Sequence, residues 1–250
     1  MSEIGRIVVW FSCGAASAVA AKMAVETYGD RCHVVYCDTL ASEHPDNARF
    51  FADVERWIGR KITVIRSEKY ATIDDVFERT RFMSSPFGAR CTTELKKLPR
   101  EAFQEPSDTH VFGYTSEETR RAASFEDHNP TLTVEWLLIE RGVTKQRCLG
   151  MLEQAGIKLP AMYSLGFNHN NCPGCVKSQA AGYWNRVRRN FPDVFDRRVK
   201  QSRLIGVRLV KIDGERVFLD ELPPDLDGPD DDIDCGPVCQ IPLFPLGRVA

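Results

Sequence analysis

The chain has 250 residues, of which 43% are hydrophobic and 27% charged, with a formal net charge of −2. That composition describes a globular chain long enough to bury an ordinary core; it excludes a disordered chain and carries no global basic excess that would advertise nucleic acid. The apolar runs fall far short of a membrane span, and MSEIGRIVVWFS lacks the basic start and long apolar core of a signal peptide, so the expected compartment is the cytoplasm, without a membrane partner.

In chain order, RIVVWFS at 6–12 reads as a buried strand and 15–28 as a helix whose Ala, Val and Met positions can pack on a sheet. The small residues Ser12, Cys13, Gly14, Ala15, Ala16 and Ser17 at their junction suit a tight turn with helix-start N–H groups open to an anion. CHVVYC at 32–37 is a second strand, ending in Asp38 and Thr39. EHPDNARFFADVERWIGRK is a helix with Pro45 in its first turn and Gly59 as a stop signal. KITVIR at 61–66 gives a third strand, 71–82 a short helix, THVFGY at 109–114 a fourth strand and TLTVEWLLI at 131–139 a further one. Thr144 caps a helix ending at Gly156. A basic aromatic helix follows at 178–192, then a hairpin turning at Asp213 and Gly214, then an acidic, turn-rich tail.

Alternating apolar strands and helices predict an α/β fold: a Rossmann-like three-layer sandwich around a mainly parallel sheet, with a C-terminal cysteine-containing extension. The expected division is 5–190 for the nucleotide-binding domain and 191–250 for the extension. Ligands of such sheets bind at strand ends, so the loops at Ser12 to Ser17, Asp38 and Thr39, Arg66 and Ser67, and Gly113 to Arg121 are expected to converge on one crevice.

The first loop is neither a Walker-type phosphate loop nor a GxGxxG dinucleotide turn. Four motifs, SCGAASAV, CDTLASEHPDNARF, RCTTELKKLP and VFGYTSEETRRA, together resemble the phosphoadenosine phosphosulfate (PAPS) reductase family of the pyrophosphatase-loop adenine nucleotide α-hydrolases. The resemblance runs from about residue 7 to 190. It implies an adenine nucleotide (PAPS, APS or ATP) held by Ser12, Cys13, Gly14, Ala15, Ser17, Asp38, Thr39, Gly113, Glu117, Arg120 and Arg121. It departs from the family at Ala16, where ATP-splitting relatives carry an acid. It departs again at Thr115 and Ser116, where two anion-gripping arginines are expected. Each lost cation removes a charge-assisted bond of about 1.5–3 kcal/mol, with Arg66, Lys69, Arg90, Lys96 and Lys97 as compensating candidates.

Nine cysteines sharpen the reading. Cys13, Cys32, Cys37 and Cys148 lie in or beside apolar segments and read as buried small hydrophobes. Cys91 before the LK element, with Cys172 and Cys175, matches the layout that holds a four-iron, four-sulfur (4Fe-4S) cluster in cluster-bearing relatives. Either the cluster keeps an open iron, as resembles the tRNA-thiolating relatives, or Cys235 or Cys239 is the fourth ligand. The alternative is zinc held by Cys172, Cys175, Cys235 and Cys239. DCGPVC also resembles the C-terminal motif of sulfonucleotide reductases, which makes Cys235 a candidate nucleophile and Cys239 a resolving thiol, with a thiol reductant such as thioredoxin as partner. The function implied is thiol-dependent reduction of a sulfonucleotide. The alternatives are an ATP-dependent sulfurtransferase acting on a nucleobase or small molecule, and a non-catalytic nucleotide- or nucleic-acid-binding module.

Overall fold

The computed structural model describes residues 5–85 and 88–228. The elements are β1 (Ile7–Phe11), α1 (Ala15–Tyr28), β2 (Cys32–Cys37), α2 (Asn47–Ile58), β3 (Thr63–Ile65), α3 (Ile73–Thr80), β4 (Ser84–Ser85), β5 (Gly88–Ala89), α4 (Arg90–Thr92), a π-helix (Thr93–Lys97), α5 (Leu98–Phe103), β6 (Thr109–Phe112), α6 (Thr119–His128), β7 (Thr133–Glu135), α7 (Leu137–Glu140), α8 (Lys145–Gln154), α9 (Ala161–Ser164), α10 (Ala181–Asn190), α11 (Pro192–Ile205), β8 (Val210–Ile212) and β9 (Glu215–Val217). Among the described residues no helix is long and apolar enough to cross a membrane.

Five strands form one parallel sheet in the order β3-β2-β1-β6-β7, with Val9 level with Val34 on one side and Val111 on the other. The fold is therefore α/β and Rossmann-like, as expected. All five residues of β1 are buried, because both faces of the central strand are covered. Ile7, Val9 and Phe11 point into a core shared with α1, α2 and α8, whereas Val8 and Trp10 point into a second core with Phe112, Ala122, Phe125 and Trp136. These are the layers of the sandwich.

The helices form where spacing and caps demand. In α2 the buried Phe50, Val54 and Ile58 recur every four residues, and Gly59, with φ +69, closes the last turn. The Thr144 hydroxyl accepts the Arg147 N–H at 3.2 Å, and Asp213 and Gly214 take positive φ at the hairpin between β8 and β9; both match expectation. A third core joins α3, the segment around Cys91 and Leu95, the loop of Cys172 and Cys175, α10, α11 and the hairpin. Residues on both sides of position 190 contribute to it.

One strand differs from expectation. TLTVEWLLI is extended only over Thr133–Glu135, and Leu137–Glu140 is helical. A short apolar run suits a buried strand or a buried helical turn equally. Here the Glu140 carboxylate accepts the Trp136 N–H at 3.3 Å, which starts a helical turn.

Beneath the sheet, Trp10 Nε1 donates to His110 Nδ1 at 3.1 Å, so the ring is neutral with its proton on Nε2. Burial, then the Arg100 guanidinium, pushes the His110 pKa down to about 4. A pKa depressed on folding means that stability is complete above the unfolded value near 6.5 and is lost as pH falls towards 4. We expect the protein to be about 2 kcal/mol less stable at pH 5 than at pH 7 from this group alone. Urea unfolding of His110→Gln at the two pH values should show that part of the difference removed; an unchanged difference would show that His110 does not titrate on unfolding.

Candidate functional site

The crevice lies where the strand order reverses. After β3 the chain crosses to the other side of β1, so the loops leaving β1 and β6 diverge from a common point. A cavity of about 270 Å³ opens there, lined by Ser12, Gly14 to Ser17, Gly113 to Thr115 and Lys96 among others.

Ser17 holds the turn after β1. Its hydroxyl oxygen accepts the Ser12 N–H at 3.1 Å and the Gly14 N–H at 3.3 Å, while its own O–H lies 2.9 Å from the Gly14 carbonyl oxygen. Cys13 takes φ +59, unusual outside glycine. Its side chain points inward, with the S–H to the Asn47 carbonyl at 3.5 Å. Burial, then Glu43, pushes that thiol well above the ordinary range. Cys13 therefore shapes the turn through its backbone.

Gly113 brings the end of β6 against this turn. A Cβ there would lie 2.6 Å from the Ser17 Cα and N atoms, so only glycine allows the approach. The following residues are tied among themselves. Thr115 donates from N–H and hydroxyl to Glu118 Oε2 at 2.9 and 3.1 Å, and Arg121 pairs with Glu118 Oε1 at 2.7 Å while covering the Tyr114 ring. The Lys145 backbone N–H, at the start of α8, lies 2.9 Å from Glu117 and lowers its pKa.

The expected convergence is partial. The loops of Ser12 to Ser17 and of Gly113 to Arg121 meet in the crevice, with Glu117 and Arg121 in its wall. Asp38 and Arg66 do not line it; they form an ion pair at 2.8 Å, and Asp38 also accepts the Leu40 N–H. Arg120 is exposed and outside the lining. Thr39 is buried on another wall, described below. Of the proposed compensating cations only Lys96 reaches the crevice, since Arg90 pairs with Glu94 at 2.6 Å. Three acids (Glu43, Glu117, Glu118) therefore face three cations (Lys96, Arg121, Lys145).

Cys91, Cys172 and Cys175 come together, as buried reduced thiols, around a second, small cavity with Thr39, Ile73, Phe77, Lys96 and Val176. Cys172 and Lys96 belong to both cavities. The Cys-Pro-Gly-Cys turn is built rigidly: Gly174 has φ +68 with Val194 2.8 Å from where a Cβ would sit, and its carbonyl accepts from buried Arg198 at 3.2 Å. The Tyr183 hydroxyl accepts the Cys175 N–H at 2.7 Å and donates to the Cys172 carbonyl at 3.5 Å. Lys96 is presented by a π-helical turn, a rare geometry found frequently at functional sites.

Three buried thiols beside Lys96 are the donor chemistry that a thiolate-held iron–sulfur cluster uses, and as the side chains stand the space between them is about 10 Å³. Among the described residues no group of three or more Cys, His, Asp or Glu side chains is placed to hold a metal ion. The zinc alternative calls on Cys235 and Cys239, which lie outside the described residues, as do their expected catalytic roles. The other four cysteines are buried, and burial pushes Cys32 up to about 11 and Cys37 and Cys148 up to about 12. Those values fit the packing role read for them.

Sequence reasoning passed over Glu43, Lys145, Tyr163 and Asn170, all in the crevice wall. The polar run His169, Asn170, Asn171 directly before Cys172 was the available signal. No protein-family model matches the chain, and no curated protein matches it.

Two substitutions test the build. Gly113→Ala should destabilise the fold by about 1–3 kcal/mol through overpacking, read as a lower urea midpoint, together with loss of any nucleotide-induced thermal shift. Tyr183→Phe should cost about 1–3 kcal/mol by stranding the buried Cys175 N–H, where a midpoint equal to that of the wild type would show that the brace is dispensable.

Proposed function

We propose that the protein is an enzyme that binds an adenine nucleotide in the crevice and carries out sulfur chemistry beside it. The observation that carries this reading is the shared wall: Cys172 and Lys96 line both the crevice and the cavity of the three cysteines. A nucleotide seated on the β1–α1 turn lies next to thiolate ligands and one buried ammonium. Cys91, Cys172 and Cys175 are the residues that would hold a 4Fe-4S cluster, which when bound would supply iron coordination and electron-transfer chemistry at the edge of the crevice.

In the first form of the reading the nucleotide is a sulfonucleotide. A thiolate, assigned to Cys235, attacks the sulfate sulfur; an S–S bond forms, the S–O bond to the nucleotide breaks, and the nucleoside phosphate leaves. A second thiol, Cys239 or a thioredoxin-class reductant, then attacks Cys235, releasing sulfite and leaving a disulfide. The chain leaves the described residues at Gly228, whose carbonyl oxygen lies 2.2 Å from where a Cβ on Gly182 would sit, one residue before the Tyr183 that braces the cysteine turn.

A second form is favoured by the charges. Glu118 occupies the Thr115 N–H and hydroxyl that would otherwise meet an anion, and the wall carries as many acids as cations. That suits a nucleotide brought in with a divalent cation more than a bare sulfate, so ATP-dependent activation of an acceptor, with release of pyrophosphate, is the alternative.

The test is anaerobic purification with iron and sulfide analysis, followed by turnover assays. We expect iron, acid-labile sulfide and broad visible absorbance in the wild type, all lost in Cys91→Ala. Sulfite from a sulfonucleotide, abolished by Cys235→Ser, identifies the first form; pyrophosphate from ATP identifies the second. Iron-free protein that releases neither product overturns the proposal.

A further inference from the structure

A single chain of hydrogen bonds runs from the cysteine cavity to the nucleotide turn, and its direction is set from one end. Thr39, in the wall of the cysteine cavity, donates its hydroxyl to Glu43 at 2.5 Å, and the Tyr36 hydroxyl donates to the same carboxylate at 2.9 Å. Asn47 adds its Nδ2 to Glu43 at 2.7 Å, so its amide oxygen is turned the other way. Asn170 Nδ2 donates to that oxygen at 2.9 Å and to the Cys13 carbonyl at 2.6 Å.

A carboxylate only accepts, so each amide down the line has one orientation. Flipping Asn170 would set its oxygen against two others. Its Oδ1 is buried and has no hydrogen-bond partner in the structure, so the two Nδ2 bonds anchor the side chain. That anchorage fastens the loop of Cys172 and Cys175 to the turn that receives the nucleotide. The Cys13 carbonyl it grips belongs to the residue at φ +59, and Cys172 is two residues from Asn170.

We propose that Asn170 is a positioning residue that couples occupancy of the crevice to the geometry of the cysteine cavity. A ligand that settles on Ser12 to Ser17 fixes the Cys13 carbonyl; through Asn170 it fixes the cysteine turn, and by linkage a change at the cysteines alters nucleotide affinity by the same factor. The inference rests on the reading that the crevice takes an adenine nucleotide.

The experiment compares the full chain as purified with Asn170→Ala, using ATP with magnesium as the probe and calorimetry to establish saturation. Iodoacetamide labelling of Cys91 and Cys175 is then followed by mass spectrometry. Neither residue lines the crevice, and because Asn170→Ala leaves the shared wall of Cys172 and Lys96 in place, the comparison of the two proteins separates shielding by the nucleotide from coupling through Asn170. Saturating nucleotide should slow their labelling about fivefold or more in the wild type, within the usual range of coupling between sites. In Asn170→Ala the effect should shrink to less than about twofold at saturation, even if basal labelling rises. Equal protection in both proteins, or no protection in the wild type, overturns the coupling while leaving nucleotide binding intact. Absence of calorimetric binding to the wild type overturns the nucleotide reading and the coupling with it. If Asn170→Ala does not fold, Asn170→Ser, too short to span both acceptors, takes its place with the same two outcomes.

Discussion

The structure turns on the contact between Gly113 and the backbone of Ser17. The end of β6 lies so close to the first turn of α1 that a single methyl would collide with main-chain atoms. Main chain cannot move aside as a side chain does, so the separation of the two loops at the switch point is set here. The Ser17 hydroxyl then fixes the turn from inside, where its oxygen receives the N–H groups of both Ser12 and Gly14. The crevice owes its shape to these two small residues.

A second constraint fastens the cysteines to that crevice. Tyr183 and Arg198 hold the Cys-Pro-Gly-Cys turn from the side of α10 and α11. Asn170, through Asn47 and Glu43, holds the same loop from the side of the sheet. Arg198 is itself held by the Asp74 carboxylate and by Gln201 at 2.6 Å, so α3 is tied to the same assembly. Buried polar groups of this kind are costly unless satisfied. Their concentration around one loop marks where the fold gives up easy packing for a defined geometry.

The two groups of cysteines show how environment separates chemistry from packing. Cys13, Cys37 and Cys148 are surrounded by core, and burial raises their thiols far from any thiolate role. Cys91, Cys172 and Cys175 are also buried, but they share a cavity with Lys96, and Cys172 reaches the open crevice as well.

The sequence by itself determined the parallel sheet and the ends of α2 and α8 at Gly59 and Thr144, because periodicity and Gly and Thr signals act over a few residues. It placed Gly113 and the β1–α1 turn together, since strand ends of such sheets converge by topology. It did not place Asp38, because whether a strand-end side chain faces the crevice or pairs with Arg66 depends on a neighbour twenty-eight positions away. Nor did it separate strand from helix in WLLI, where Glu140 decided. The partners of Asn170 were unreadable for the same reason: they are Cys13 and Asn47, 157 and 123 positions away. Local signals set the elements; which side chains faced one another was decided only when the tertiary fold closed, because hydrogen bonds depend on distance in space rather than along the chain.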